Sequence, residues 1–158
     1  MAFRRPVRRA GDRYEIRLSA GERAALRGLF DELRDLLVAE NPASDAAVAR
    51  LFPPAYPEDP LRNLDFERSA GNELLAQRLS TLEMVSDTID ASDLAEGQLL
   101  GWLAAINDAR LVLGTRLDVT EESTEKDFAN DESARSTYEL YLFLSWLEGR
   151  IVDVLGGG

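Results

Sequence analysis

The stretch WLAAINDARLVLGTRL (Trp102–Leu117) decides the fold, because its apolar residues recur at the spacing of one helix face. We predict a long helix that begins at Ser92 and ends near Leu117. Such a helix has to pack against other helices, which indicates a mainly α protein. The apolar side comprises Leu99, Trp102, Leu103, Ile106, Leu113 and Leu117.

Polar residues interrupt this helix and form our first candidate site: Asn107, Asp108, Arg110 and Arg116. Arg110 falls on the apolar path, so its guanidinium should be partly buried and therefore paired with a carboxylate. Examples of such an acid are Glu73, Glu83 and Asp108. On this interpretation the cluster joins helices, and the alternative is a site that recognises an anion or a protein partner.

Helix signals flank the central stretch on both sides. Ser19 and Glu22 have the spacing of a capping box, and Asp59-Pro60 is typical of a helix start. Further helices are predicted from Ser44 to Leu51 and over 72–89, with the triple-proline connection 53–57 between them. The last helix, around 138–147, is apolar on nearly all sides. We favour it as the central helix of the bundle, with half of a homodimer interface as the alternative.

Residues 1–18 instead have the pattern of a β-hairpin. Residues 13–18 alternate between charged and apolar side chains, and 10–12 supply a turn. Phe3, Arg5 and Val7 fit a first strand, which Pro6 places at a sheet edge. The predicted fold is a single-domain bundle of about five helices over 19–155, with an N-terminal β-hairpin and a flexible glycine tail over 156–158.

The charge of the chain is polarised. Residues 1–17 carry six arginines against Asp12 and Glu15, a net charge of +4, which leaves −15 for the rest of the chain. These arginines are a candidate basic surface that either keeps the hairpin solvated or contacts nucleic-acid phosphates. They are Arg4, Arg5, Arg8, Arg9, Arg13 and Arg17.

The chain contains no cysteine and no histidine, which restricts its chemistry. Ser-His-Asp and Cys-His arrangements, thiol redox sensing and sulfur-ligated metals are excluded. The acids Glu121, Glu122, Glu125 and Asp127 could hold Mg²⁺ or Ca²⁺, but they lack the EF-hand pattern and are typical of a solvated segment. We therefore predict no enzyme activity, no cofactor and no metal site.

No apolar run approaches the ~20 residues that a membrane span requires, and the N-terminus lacks the apolar segment of a signal peptide. These features predict a cytoplasmic protein without membrane contact.

The run Asn107-Asp108-x-Arg110-Leu-x-Leu-Gly114-x-Arg116-Leu, with 74–79 before it and 138–147 after it, resembles an actinobacterial family named for the oxidative-stress regulator AosR. The resemblance covers most of the chain, from the hairpin to the last helix. It implies a regulator of transcription under oxidative stress. That family is associated with cysteine-based sensing, whereas in this chain only methionine sulfoxide formation at Met1 or Met84 remains of cysteine and methionine oxidation. The scaffold and a protein partner are what the resemblance transfers.

The functional prediction is a non-enzymatic regulatory protein that acts through protein–protein contact, with the transcription machinery as an expected partner. The first alternative is nucleic-acid binding through the arginine-rich hairpin. Further alternatives are a protein-turnover adaptor and a carboxylate- or Mg²⁺-dependent enzyme. The sequence leaves open whether the protein is a monomer or a homodimer.

Overall fold

A computed structural model describes residues 4–39, 46–51, 59–120 and 122–157. The chain is mainly α-helical in these ranges, as predicted, and its strands form one sheet that contains the predicted N-terminal hairpin. The elements in chain order are β1 (Val7–Ala10), β2 (Arg13–Ile16), α1 (Ala20–Leu37), α2 (Ala46–Ala49), α3 (Pro60–Asp87), β3 (Asp93–Ala95), α4 (Glu96–Leu117), a 3₁₀ helix (Glu125–Phe128) and α5 (Glu132–Leu155).

The first two strands form the predicted hairpin. Strand β1 pairs antiparallel with β2, with Val7 opposite Ile16. Gly11 adopts a φ of 66° in the connecting turn, a conformation that costs glycine little. The first strand begins at Val7, directly after Pro6, whereas the sequence suggested a strand from residue 3, which lies outside the described residues. Strand β1 is at the sheet edge, as Pro6 predicted.

A third strand, β3, was not predicted. It pairs antiparallel with β2, with Leu94 opposite Tyr14, so that the sheet has the order β1-β2-β3. Helix α4 therefore begins at Glu96 and not at Ser92. The Gln98 side chain accepts a hydrogen bond from the backbone N–H of Ala95 (2.9 Å) and stabilises the start of the helix.

Two predicted helix starts are confirmed. At α1, the Glu22 backbone N–H donates to Ser19 Oγ (3.1 Å), and the Ser19 backbone N–H donates to Glu22 Oε1 (2.8 Å). Helix α3 begins at Pro60 and continues without a break to Asp87. The predicted Ser44 cap and the connection 53–57 lie outside the described residues.

Helix α4, and not α5, is the central helix, so that part of the prediction is wrong. It packs against α1, α2, α3, α5 and the strands β2 and β3. Trp102 is fully buried, and its indole N–H donates to Thr88 Oγ1 (2.8 Å). Helix α5 packs on α4 and β1 and leaves Leu142 and Val152 exposed. No helix in the described ranges is long and apolar enough to cross a lipid bilayer.

The Arg23 side chain, which is half-buried on α1, joins the sheet to the helices. Its Nη1 donates to the carbonyl oxygens of Ile89 (2.7 Å) and Ala91 (2.9 Å). Its Nη2 donates to Ile16 (3.1 Å), and its Nε donates to Leu18 (3.2 Å). One guanidinium thus satisfies four carbonyls, from the end of β2, from the connection between β2 and α1, and from the segment between α3 and β3.

We predict that Arg23→Ala lowers the free energy of unfolding by roughly 3 kcal/mol, since a buried carbonyl without a donor costs about 1–3 kcal/mol. Arg23→Lys should recover only part of this, because an ammonium group cannot reproduce the planar fork of donors. The measurement is urea unfolding of each variant. Arg27→Ala is the matched control, because Arg27 lies on the same helix as Arg23 and, among the described residues, pairs only with the exposed side chain of Asp90, which follows α3. An equal loss in the two alanine variants would contradict this role of Arg23.

Candidate functional site

The six hairpin arginines do not share one surface. Three of them alternate with acids on the solvent-facing side of the sheet. Glu15 accepts from Arg8 and from Arg17 (2.8 Å each), and Asp93 on β3 accepts from Arg13 (2.5 Å). These pairs are exposed, so they add little stability. They nevertheless match most of the positive charge on this face.

Arg4 lies apart from that row, beside the start of α1 and the middle of α5. Its Nη1 donates to Glu22 Oε2 (2.7 Å), Nη2 contacts Glu22 Oε1, and the guanidinium lies 5.6 Å from the centre of the Trp146 ring. The hydrogen bonds from Arg4, together with those from Ser19, lower the pKa of Glu22 to about 2. The same contact with Glu22 raises the pKa of Arg4.

Around Arg4 the surface is apolar and aromatic. Leu142 is 45% exposed, and the half-buried rings of Phe143 and Trp146 lie 5.9 Å apart, centre to centre. With Arg4 and Glu22 these residues line a shallow pocket of about 320 Å³. We call Arg4, Leu142, Phe143 and Trp146 the α5 patch. The sequence analysis did not predict this surface, because it expected α5 to be buried on most sides.

The remaining two hairpin arginines, Arg5 and Arg9, line a different depression. It lies between β1 and the end of α5 and has a volume of about 390 Å³. Arg150, which pairs with Asp153 (3.0 Å), extends the positive charge onto the helix. We call this depression the β1 groove; its lining residues are Arg5, Val7, Arg8, Arg9, Arg150, Asp153, Val154 and Gly157. Arg150 was not predicted, because only the packing of α5 on β1 brings it near the hairpin.

The polar cluster on α4 is divided between two helix contacts. Asp108 is buried, and its Oδ2 lies 2.5 Å from Arg78 Nη1 on α3. Arg78 Nη2 also donates to the Leu51 carbonyl (3.0 Å). Burial raises the pKa of Asp108, against the opposing effect of Arg78. The ionised form of Asp108 therefore lowers the free energy of unfolding, and this loss is removed as the pH falls below the raised pKa and the carboxyl is protonated.

Arg110 makes the second contact. Its Nε lies 2.8 Å from Glu148 Oε2 on α5, so Arg110 is paired with an acid of a neighbouring helix, as predicted, but that acid is none of Glu73, Glu83 and Asp108. Sequence spacing could not identify Glu148, because the choice depends on which helix packs beside α4. Arg110 Nη2 also donates weakly to Asn107 Oδ1 (3.4 Å).

The fourth residue of the cluster, Arg116, is exposed on the last turn of α4. Gly114 lies between it and Arg110, at a close approach of α5. A Cβ at Gly114 would be 3.2 Å from Tyr141 Cε2. The four polar residues are thus spread along α4, and the two best-defined ion pairs connect it to α3 and α5.

The acid-rich segment after α4 contains the 3₁₀ helix, and its described acids are exposed. Tyr138 anchors the segment, because its hydroxyl donates to the Ser123 carbonyl (3.2 Å). In the part of the chain that the structure describes, no three acids come together as metal ligands would. Glu121 lies outside that part.

A family model described as "Domain of unknown function (DUF2017)" matches residues 4–155, which include the sheet, the central helix, the α5 patch and all of the β1 groove except Gly157. The chain belongs to the DUF2017 family. No curated protein and no solved structure matches it. The DUF2017 description names no activity, so the resemblance to AosR regulators stays a prediction.

We predict that Asp108→Ala lowers the free energy of unfolding by roughly 3 kcal/mol, because it leaves the guanidinium of Arg78 without its buried carboxylate. The two side chains are only 13% and 21% exposed, respectively. The double variant Arg78→Met/Asp108→Leu should be clearly more stable than Asp108→Ala, since neither charge remains, although the Leu51 carbonyl loses its donor. Unfolding in guanidinium chloride measures both free energies. A double variant as unstable as Asp108→Ala would show that the pairing is not the cause.

The lowered pKa of Glu22 predicts how the stability of the protein changes at acid pH. Because its pKa falls from 4.5 to about 2 on folding, its contribution is present above pH 4.5 and is lost as the pH approaches 2. Glu22→Gln removes the charge but can keep the capping box. The difference in unfolding free energy between the two proteins should therefore shrink between pH 4.5 and 2. Glu32→Gln, an exposed neutralisation on the same helix, controls for net charge. A constant difference would contradict the prediction.

Proposed function

We propose that this protein is a non-enzymatic regulator of the AosR type, which acts by contact with a protein of the transcription machinery during oxidative stress. The absence of cysteine means that such a role does not involve thiol sensing in this chain. The stress signal would instead reach it through the availability or state of its partner.

The α5 patch is the observation that carries the proposal. Interfaces are enriched in tryptophan and arginine at their centres, and these residues contribute most when they border an apolar pocket. Here a guanidinium lies over an indole ring beside an exposed leucine. Arg4 is held in place by Glu22, so little side-chain freedom is lost when a partner binds.

The chemistry of the whole sequence also favours a binding role over catalysis. Without histidine or cysteine, general acid–base and nucleophilic steps would depend on carboxylates, lysine, tyrosine or hydroxyl groups. In the described residues, the one carboxylate whose pKa is raised, Asp108, is held by Arg78 between two helices. This position suits a structural role.

We predict that Leu142→Glu reduces recovery of the partner at least about tenfold, as expected when a charge enters the apolar centre of an interface. The measurement is affinity purification of the tagged protein from its native cells, before and after peroxide, with mass spectrometry of the eluate. A sigma factor or an RNA polymerase subunit among the recovered proteins would support the regulatory role.

Leu100→Glu is the matched control, because Leu100 is 50% exposed on α4. It is distant from the patch, since α4 and α5 run antiparallel, with Gly114 beside Tyr141 and Arg110 beside Glu148. Circular dichroism checks that both variants are folded. Recovery of the same partner by Leu142→Glu, or no partner with the unmodified protein, would contradict the proposal. Recovery of a second copy alone would indicate a homodimer instead.

A further inference from the structure

Strand β1 has a free edge. Among the strands in the described ranges it pairs only with β2, in the sheet order β1-β2-β3. The Arg17 N–H donates to the Pro6 carbonyl (2.8 Å), which fixes the hydrogen-bonding pattern. Because hydrogen-bonded pairs alternate along an antiparallel ladder, Arg8 bonds to β2 while Val7 and Arg9 direct their N–H and C=O groups away from it. Arg9 is exposed and Val7 is 6% exposed, and both line the β1 groove, so this is where their backbone groups can accept another strand.

The free edge borders the β1 groove, which has an excess of positive charge. Of its four arginines, Arg8 is matched by Glu15 and Arg150 by Asp153. Arg5 and Arg9 form no ion pair with any residue that the structure describes, and Arg9 Nε donates only to the Gly11 carbonyl (3.3 Å). The groove therefore offers two guanidinium groups to an anionic ligand.

The spacing of the lining residues specifies that ligand further. Val7 and Arg9 occupy alternate positions of β1, Arg5 lies two residues before Val7, and buried Val154 lines the same groove from α5. Alternate residues of a strand face the same side, and residues on neighbouring strands meet in cross-strand pairs. A strand beside β1 would be matched if it carried acid, apolar and acid residues at every second position.

We propose that the β1 groove binds an extended acidic segment of a partner protein, which adds to the sheet as a fourth, antiparallel strand. Backbone hydrogen bonds to Val7 and Arg9 supply part of the affinity, and the two arginines select for acids in the pattern acid-x-apolar-x-acid. This inference rests on the proposed function, because it assigns a second surface and a chemical class to protein contact.

A peptide fits this site better than a nucleic acid does. The free backbone groups recognise another peptide backbone, whereas phosphates would gain only from the arginines. The arginines on the solvent face are already paired with Glu15 and Asp93. The charge of −15 outside residues 1–17 also repels a long polyanion.

The experiment measures the fluorescence anisotropy of a labelled peptide, Gly-Glu-Thr-Val-Thr-Glu-Gly, titrated with the full-length protein. We expect Arg5→Gln/Arg9→Gln to raise the Kd at least about tenfold, because both carboxylates lose their cationic partners. Arg34→Gln/Arg135→Gln is the matched control. It removes the same charge from two exposed arginines that do not line the groove, and it should leave the Kd unchanged.

N-methylated peptides separate strand pairing from charge attraction. Methylation of the valine and glutamate amides should weaken binding about tenfold, since those N–H groups would face β1, whereas methylation of the threonine amides should not. Equal binding by all of these peptides would overturn the inference. So would no binding by the unmodified protein, no effect of Arg5→Gln/Arg9→Gln, or tighter binding of a single-stranded oligonucleotide of equal charge. If the peptide does not bind the β1 groove while Leu142→Glu still reduces recovery of the partner protein, the proposed function stands without this site.

Discussion

The four hydrogen bonds of the Arg23 guanidinium are the constraint on which the arrangement of this protein depends. They connect the end of β2, the start of α1 and the segment that leads from α3 into β3. Backbone carbonyls, and not a carboxylate, surround this charge. The contact therefore fixes where chain segments lie relative to one another, and it holds the hairpin in a defined position on the helices. Both candidate surfaces depend on that position, since each combines hairpin residues with α5.

The local features of the fold could be predicted from the sequence because their signals lie within a few residues. The Ser19 and Glu22 capping box and the alternation of Tyr14 and Ile16 required no knowledge of distant contacts. Strand β3 could not be predicted in this way. It is three residues long, shorter than a period-2 pattern needs, and Ser92 before it has the form of a helix cap.

The candidate site was less predictable than the fold, because charge partners are chosen by tertiary packing. The sequence showed that Arg110 needs an acid, but only the packing of α5 on α4 selects Glu148. The hairpin arginines were similarly counted as one surface. The structure divides them according to strand face and edge, so their role depends on their acid neighbours, such as Glu15, more than on their number.

The position of β3 in the chain links sheet formation to the folding of the whole molecule. Arg13 and its partner Asp93 are separated by 80 residues, which include α1 and α3. Helices form from local contacts, whereas a pairing of this sequence separation closes a long loop and is expected to form late. The three-stranded sheet is then complete only after the helices have assembled. A partner that recognises the finished sheet would consequently distinguish mature molecules from newly synthesised or partly unfolded ones.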